Sequence, residues 1–264
     1  MENKFRALLE AGKPTTSTRI WSTWPFYTET IAATGNFDYV EFVGEYAPFT
    51  QADLENICRA AELHNMASMM KVDFQNRHYV AQKAIAAGFQ AILFADHHTP
   101  DEVRESIQMI SADSPERHGR YGFPNRRFIG TSPYMTQTEH AQCLNRIVKA
   151  FMIEKQEAVD QIEEICAVPG VDMIQFGPND YCLSNGWNKE GDHAKAAKEA
   201  ERKCIEAALR HGVRPRCEIN KPEEADYYIS LGVKDFSLGD QLRILKGYWN
   251  GEGKMLRKIA DGLS

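Results

Sequence analysis

The chain alternates between two patterns. Short apolar runs end abruptly in a polar or charged residue, and between them lie stretches whose apolar positions recur at helical spacing. The clearest runs are Phe151-Met152-Ile153-Glu154 and Val171-Asp172-Met173-Ile174-Gln175-Phe176-Gly177-Pro178-Asn179-Asp180. Runs of this kind, closed by polar or turn residues, predict buried parallel strands. Between them, 155–167 reads as a helix with Ala158, Ile162, Ile165 and Cys166 near one face, stopped by Pro169-Gly170. This β-α-β unit sets Glu154 and Asp180 at the carboxyl ends of neighbouring strands, the edge where α/β folds place their chemistry.

The same rhythm runs through the rest of the chain. Strands are expected over 16–22, 37–43, 66–71, 90–95, 214–219 and 234–238. Helices are expected over 2–11, 25–33, 51–64, 77–87, 100–110, 134–146, 193–211 and 222–231, with a last one from about Asp240. Eight strands alternating with helices predict the α/β class and a (β/α)8 TIM barrel, one domain over residues 1–264. Residues 111–132 break the rhythm. They carry Arg117, Arg120, Arg126 and Arg127 among glycines and prolines, as a functional lid, an interface segment or a solvated charged loop would.

Composition narrows the classes. The chain has 264 residues, 43% hydrophobic and 26% charged, with a formal net charge of -6. That is ordinary globular usage with no basic stripe, which argues against a nucleic-acid partner. No apolar run is long enough to span a bilayer, and the N-terminus lacks the apolar core of a signal peptide. A cytoplasmic protein with no membrane partner is expected. The six cysteines form no CxxC pair and read as small buried hydrophobes, not as a disulfide frame or zinc site. Neither GxGxxG nor GxxxxGK[ST] occurs, so nucleotide-binding Rossmann and P-loop readings lack their signatures.

If the barrel is right, its active edge carries Arg19, Trp21, Glu45, Tyr46, Lys71, Asp96, His97, His98, Glu154, Asp180, Glu218, Asn220 and Asp240. Singly, Glu154 could be a favourable first-turn acid and Asp180 a helix cap. Together they form a hard oxygen-donor pair suited to Mg²⁺ or Mn²⁺, with Co²⁺ a third option. The Gly177-Pro178-Asn179 turn offers backbone amides for a substrate carboxylate, although Pro178 has no N–H. Arg19 and Lys71 are candidates for substrate oxygens, unless each pairs with a carboxylate in the barrel. Tyr46, Lys71 and His97 are the candidate catalytic groups.

The block Ile153-Glu154 … Val168-Pro169-Gly170-Val171-Asp172 … Gly177-Pro178-Asn179-Asp180, with Gly44-Glu45-Tyr46-Ala47-Pro48 before it, resembles the HpcH/HpaI family of metal-dependent 2-oxoacid aldolases. The resemblance implies a (β/α)8 barrel assembled as a homo-oligomer, a hexamer built from dimers. It implies a divalent metal on Glu154 and Asp180, and reversible cleavage of a 4-hydroxy-2-oxoacid to pyruvate, or a related 2-oxoacid, and an aldehyde. The chain also departs from the family. Tyr46 stands where the family has a histidine base, Val43 where it has an aspartate and Lys71 where it has an arginine. Ala86 replaces a further aspartate, and Met152 a glutamine common among members. Lysine keeps the charge but loses the bidentate fork, and tyrosine is a poor base near neutrality unless its pKa is lowered. His97 or His98 could then supply the base. Two alternatives stay open: a non-catalytic 2-oxoacid-binding or assembly barrel that has lost its base, and a Schiff-base lyase using Lys71.

Overall fold

The computed structural model describes residues 2–129 and 135–263. Its eight strands are β1 (Thr15–Ile20), β2 (Tyr39–Val43), β3 (Ala67–Val72), β4 (Ala91–Phe94), β5 (Val148–Ile153), β6 (Met173–Phe176), β7 (Arg214–Ile219) and β8 (Asp235–Asp240). They pair in parallel in chain order, and β8 pairs with β1, so the sheet closes into the expected (β/α)8 barrel. The helices are α1 (Lys4–Glu10), α2 (Pro25–Ala33), α3 (Gln51–Leu63), α4 (Arg77–Ala87), α5 (Pro100–Ile110), α6 (Arg126–Ile129), α7 (Gln137–Asn145), α8 (Gln156–Asp160), α9 (Ile162–Cys166), α10 (Pro178–Ser184), α11 (Ala194–Arg210), α12 (Ala225–Ser230) and α13 (Gln241–Asp261).

Burial follows strand alternation. Outward residues such as Val40, Phe42, Met70, Ile92, Phe94, Phe151 and Ile174 meet the helical ring in the main core. Inward residues Tyr39, Met69, Leu93, Val148, Ala150, Met152 and Met173 fill the barrel. At the N-terminal end α1 plugs the opening: Phe5 is fully buried and stacks on Tyr39 at 4.1 Å between ring centroids. Threonine capping boxes at Thr50, Thr99 and Thr136 start α3, α5 and α7, each hydroxyl paired with an acid three residues on.

Three expectations change. The helix over 155–167 is two short helices, α8 and α9, because Gln161 leaves helical geometry and its amide bonds the carbonyls of Glu157 and His98. The segment 222–231 begins as a 3-10 turn before α12. The arginine-rich segment after α5 leads to the N-terminal end of β5, so it is no lid over the C-terminal edge. It is strapped to α3 and α4 by Arg126 on Glu55, Arg127 on Glu62 and the Ala87 carbonyl, and the Tyr121 hydroxyl on the Gln82 carbonyl. Residues 130–132 of that segment and the expected helix start at Tyr134 lie outside the described residues. All six cysteines are free, and five are buried. Among the described residues, no helix is long and apolar enough to cross a membrane.

Candidate active site

At the C-terminal ends of the strands lies a cavity of about 540 Å³. Its wall includes Arg19, Trp21, Tyr46, Lys71, Gly177, Pro178, Asn179, Asp180, Glu218, Asn220 and Asp240, most of the residues expected at that edge. Glu154 lies beneath this wall with no exposed surface. Its Oε1 accepts the Asp96 N–H at 3.0 Å, while Oε2 is buried with no hydrogen-bond partner. Burial raises the Glu154 carboxyl to about 7; the Lys71 charge opposes the rise, and Asp96 and Asp180 add to it. Gly177 makes room here, because a Cβ on it would come within 2.4 Å of Glu154 Oε2.

Lys71 and Glu45 form a largely buried ion pair, Nζ to Oε2 at 2.5 Å. Burial pulls the Lys71 ammonium down, but the charges of Glu154 and Glu45 outweigh it and hold it above the ordinary lysine value. Tyr46 stacks on Trp21 at 5.9 Å, with Lys71 Nζ 5.4 Å from its ring centroid. Burial first, then the charges of Glu45 and Asp180, raise the phenol against the opposing charge of Lys71. Tyr46 therefore keeps its proton at neutral pH, and the lowered tyrosine that a base would need is not what this environment produces.

Arg19 pairs with Glu218 at 2.8 Å, lies 3.8 Å from Asp240, and donates from Nε to the Gly239 carbonyl at 3.3 Å. Behind it runs a polar chain that the strand pattern alone does not single out. Gln175 donates to Glu218 at 2.6 Å and accepts from Arg216. Arg216, fully buried, also reaches Glu41 at 2.5 Å and the Tyr39 hydroxyl at 2.7 Å. The signal was a charged residue at every second position of β7, Arg214, Arg216 and Glu218, in a strand that must face the barrel interior.

Four expected residues are placed differently. His97 is fully buried behind β4, away from the cavity. Its Nδ1 pairs with the Ala95 carbonyl at 2.8 Å and its Nε2 with the Ser106 hydroxyl at 2.7 Å, between Phe74, Phe94 and Phe151. Burial and the nearby Arg77 lower it to about 3, so it is a neutral packing group. The Gly177 N–H is already bonded to the Ile153 carbonyl at 3.0 Å, which leaves the Asn179 amide as the turn's donor toward the cavity. His98 turns outward to Glu157 at 3.4 Å, and Asp96 pairs with Lys155 at 2.5 Å. The cavity's outer part, formed by Lys189, Lys198, Glu201, Tyr228 and Arg243, was not foreseen, because those residues come from helices and loops beyond the strand ends.

Residues 26–220 match the sequence profile described as HpcH/HpaI aldolase/citrate lyase. The chain belongs to the HpcH/HpaI family. A hydroxypyruvate/pyruvate aldolase of Delftia acidovorans is 28% identical over 251 residues, covering 92% of this chain and 88% of that protein. The crystal structure of an HpcH/HpaI aldolase from Desulfitobacterium hafniense superposes with a TM-score of 0.85 at 23% identity, covering 96% of each chain. A more distant neighbour is the citrate lyase beta subunit of M. tuberculosis, complexed with oxaloacetate and magnesium. It matches at a TM-score of 0.58 and 11% identity, over 88% of this chain and 93% of that one. Among the described residues, no group of three or more histidine, cysteine or acidic side chains is placed to hold a metal. In this HpcH/HpaI site, two carboxylates and open cavity would leave the other positions of an ion to water and substrate.

Proposed function

We propose that this HpcH/HpaI protein is a divalent-metal-dependent carbon–carbon lyase. It would cleave a 4-hydroxy-2-oxoacid to pyruvate, or a related 2-oxoacid, and an aldehyde. The observation that carries this reading is the Glu154 carboxylate: buried, with one oxygen held and the other without a donor. A buried carboxylate oxygen in that state is costly unless a cation or proton joins it. Glu154 and Asp180 would hold the ion, and Mg²⁺ or Mn²⁺ suits such donors. When bound, it supplies Lewis-acid stabilisation of the enolate charge that develops as the C3–C4 bond breaks. The magnesium in the distant citrate lyase neighbour supports this choice of cofactor.

The remaining work falls to the chain's own side chains. Lys71 and Arg19 each pair with a carboxylate, Glu45 and Glu218, but both still line the cavity. Held in place by those pairs, they would turn their remaining N–H groups to the carboxylate and keto oxygens of the substrate, and the Asn179 amide would add a neutral donor. Tyr46 and Glu45 take the place of the family's histidine. As the C4 hydroxyl loses its proton to the Tyr46 oxygen, the phenol proton passes to Glu45, so the tyrosine never carries full charge. Lys71 stays an ammonium because Glu45 and Glu154 hold it so. An amine nucleophile needs the opposite environment, and the Schiff-base alternative loses its support.

The test is exchange of the pyruvate C3 protons into D₂O. Exchange should stop with EDTA and return with Mg²⁺, Mn²⁺ or Co²⁺. Pyruvate binding without exchange under any of these metals would favour the non-catalytic barrel instead.

The same reading includes a homo-oligomer, and α13 supports it. This helix has no buried residue, and its principal contacts are with β1 and β8 at its start. Leu242, Ile244, Tyr248, Trp249, Met255, Leu256 and Ile259 are each more than half exposed. The outward residues Phe236 and Leu238 of β8 are only partly covered. Apolar surface on this scale marks an interface, and a second copy offers the complementary pair of surfaces. Light scattering should give a multimer for the native chain, and a Trp249→Glu, Leu256→Glu variant should give monomers.

A further inference from the structure

The opposite end of the barrel holds a second cavity, of about 300 Å³, that the proposed reaction does not use. Four cationic side chains line it: Arg6, Arg117, Arg146 and Lys149. Two carboxylates, Glu10 and Asp172, face them, so the cations exceed the anions by two. Both carboxylates are already taken. Arg6 grips Asp172 with two bonds of 2.6 and 2.5 Å, and Arg146 grips Glu10 with two of 3.1 Å.

That leaves Arg117 and Lys149. Among the described residues, the Arg117 guanidinium has no hydrogen-bond or ion-pair partner. Lys149 is 5% exposed, and its ammonium makes one bond, to the Ile147 carbonyl at 2.9 Å. Two of its three protons are therefore free. Asp172 lies beside it but spends its oxygens on Arg6 and on the Lys149 backbone N–H. A buried ammonium and an idle guanidinium around one space form an incomplete charge set. The space exceeds a water's share of liquid volume about tenfold, so it admits more than a single solvent molecule.

We propose that this cavity is a binding site for a small dianion with clustered oxygens, a phosphate or a dicarboxylate, separate from the active site. Arg117 would meet it with a planar fork and Lys149 with its free protons. Lys149 stands at the start of β5 and Glu154 follows its end, about 16 Å apart along the strand. A ligand at one end therefore bears on the strand that carries the proposed metal carboxylate at the other. Burial first, then the charges of Arg6 and Arg117, lower the Lys149 ammonium to about 8, against the opposing pull of Asp172. A bound dianion favours the protonated form, so binding at pH near that value should take up protons.

The experiment is calorimetric titration of the full chain with inorganic phosphate, and separately with succinate, in two buffers of different ionisation heat. One equivalent should bind, with proton uptake near pH 8. Lys149→Met should abolish the uptake, and both Lys149→Met and Arg117→Ala should weaken binding by about 10- to 100-fold. Lys149→Met removes a buried charge and keeps the volume, so it is expected to fold, and Arg117→Ala changes only an exposed loop side chain. Asp180→Asn, at the other end of the barrel, should bind as the native chain does, whether or not the proposed lyase reaction is correct. Binding of phosphate alone assigns the site to phosphate groups, and binding of succinate alone to dicarboxylates. No binding of either ion, native-like binding by either cavity variant, or loss of binding in Asp180→Asn would overturn the proposal.

Discussion

The two halves of the barrel interior are built on different principles. From β3 to β6 the inward positions include Met69, Ala91, Leu93, Val148, Ala150, Met152 and Met173, with Gln175 reaching across to the polar side. From β7 round to β2 they include Arg216, Glu218, Asp235, Ser237, Ser17 and Glu41; Arg216 and Arg19 tie in Glu41, Ser17 and Glu218, and Arg214 and Thr15 hold Asp235. The apolar half makes charge costly; at its upper end burial raises the Glu154 carboxyl, and the charges of Glu154 and Glu45 hold Lys71 as an ammonium. The polar half satisfies charge and holds Arg19 in one orientation. One side thus prepares groups for chemistry by desolvation, and the other fixes a binding group by hydrogen bonds.

The largest effects should come from breaking each half at its centre. Glu154→Gln should lower the metal-dependent exchange rate on the order of 10³-fold with the fold intact, measured as proton exchange at saturating Mg²⁺. Arg216→Met leaves Glu41 buried and unpaired, and should cost about 3–5 kcal/mol in denaturant unfolding. Adding Glu41→Leu should return most of that loss, because the remaining interior would then resemble the apolar half. Failure of the double variant to recover would mean that the polar chain is needed as a whole.

A smaller effect tests the packing outside the apolar half. The folded His97 lies at about 3, below its unfolded value of about 6.5. The native state therefore binds fewer protons than the unfolded chain as pH falls. The contribution is fully present above pH 6.5 and is lost progressively toward pH 3. Stability should drop by on the order of 2 kcal/mol between pH 6.5 and pH 4.5 from this group. His97→Asn should flatten that part of the profile and leave kcat within a few-fold of the native value. A loss of the acidic limb of the rate profile would instead restore His97 as a catalytic base. The smallest effect concerns the boundary between the halves. Tyr46→Phe should reduce kcat about 10-fold with little change in KM, because it removes a proton relay and keeps the stack on Trp21.

The barrel was legible because strand and helix periods differ and each apolar run closed on a polar residue. The order that sets Glu154 just after β5 and Asp180 in the first turn after β6 followed from that rhythm. His97 was not legible. After β4 the chain leaves the sheet through Asp96 at a φ of +59°, and alternation no longer says which way the next side chain points. Arg216 sat in plain view in an alternating strand, but only closure of β7 beside β8 and across from β2 supplied Glu41 and Tyr39 as its partners.

The residues alone determined the order of elements, the class of fold, the family and which carboxylates end β5 and lead into α10. Those properties depend on local period and spacing, which travel with the chain. Tertiary structure decided which charges are matched: Glu45 to Lys71, Glu218 to Arg19, Glu41 to Arg216, and one Glu154 oxygen to none. Coulomb energies and desolvation depend on distances between atoms far apart in sequence, and only the closed barrel sets those distances.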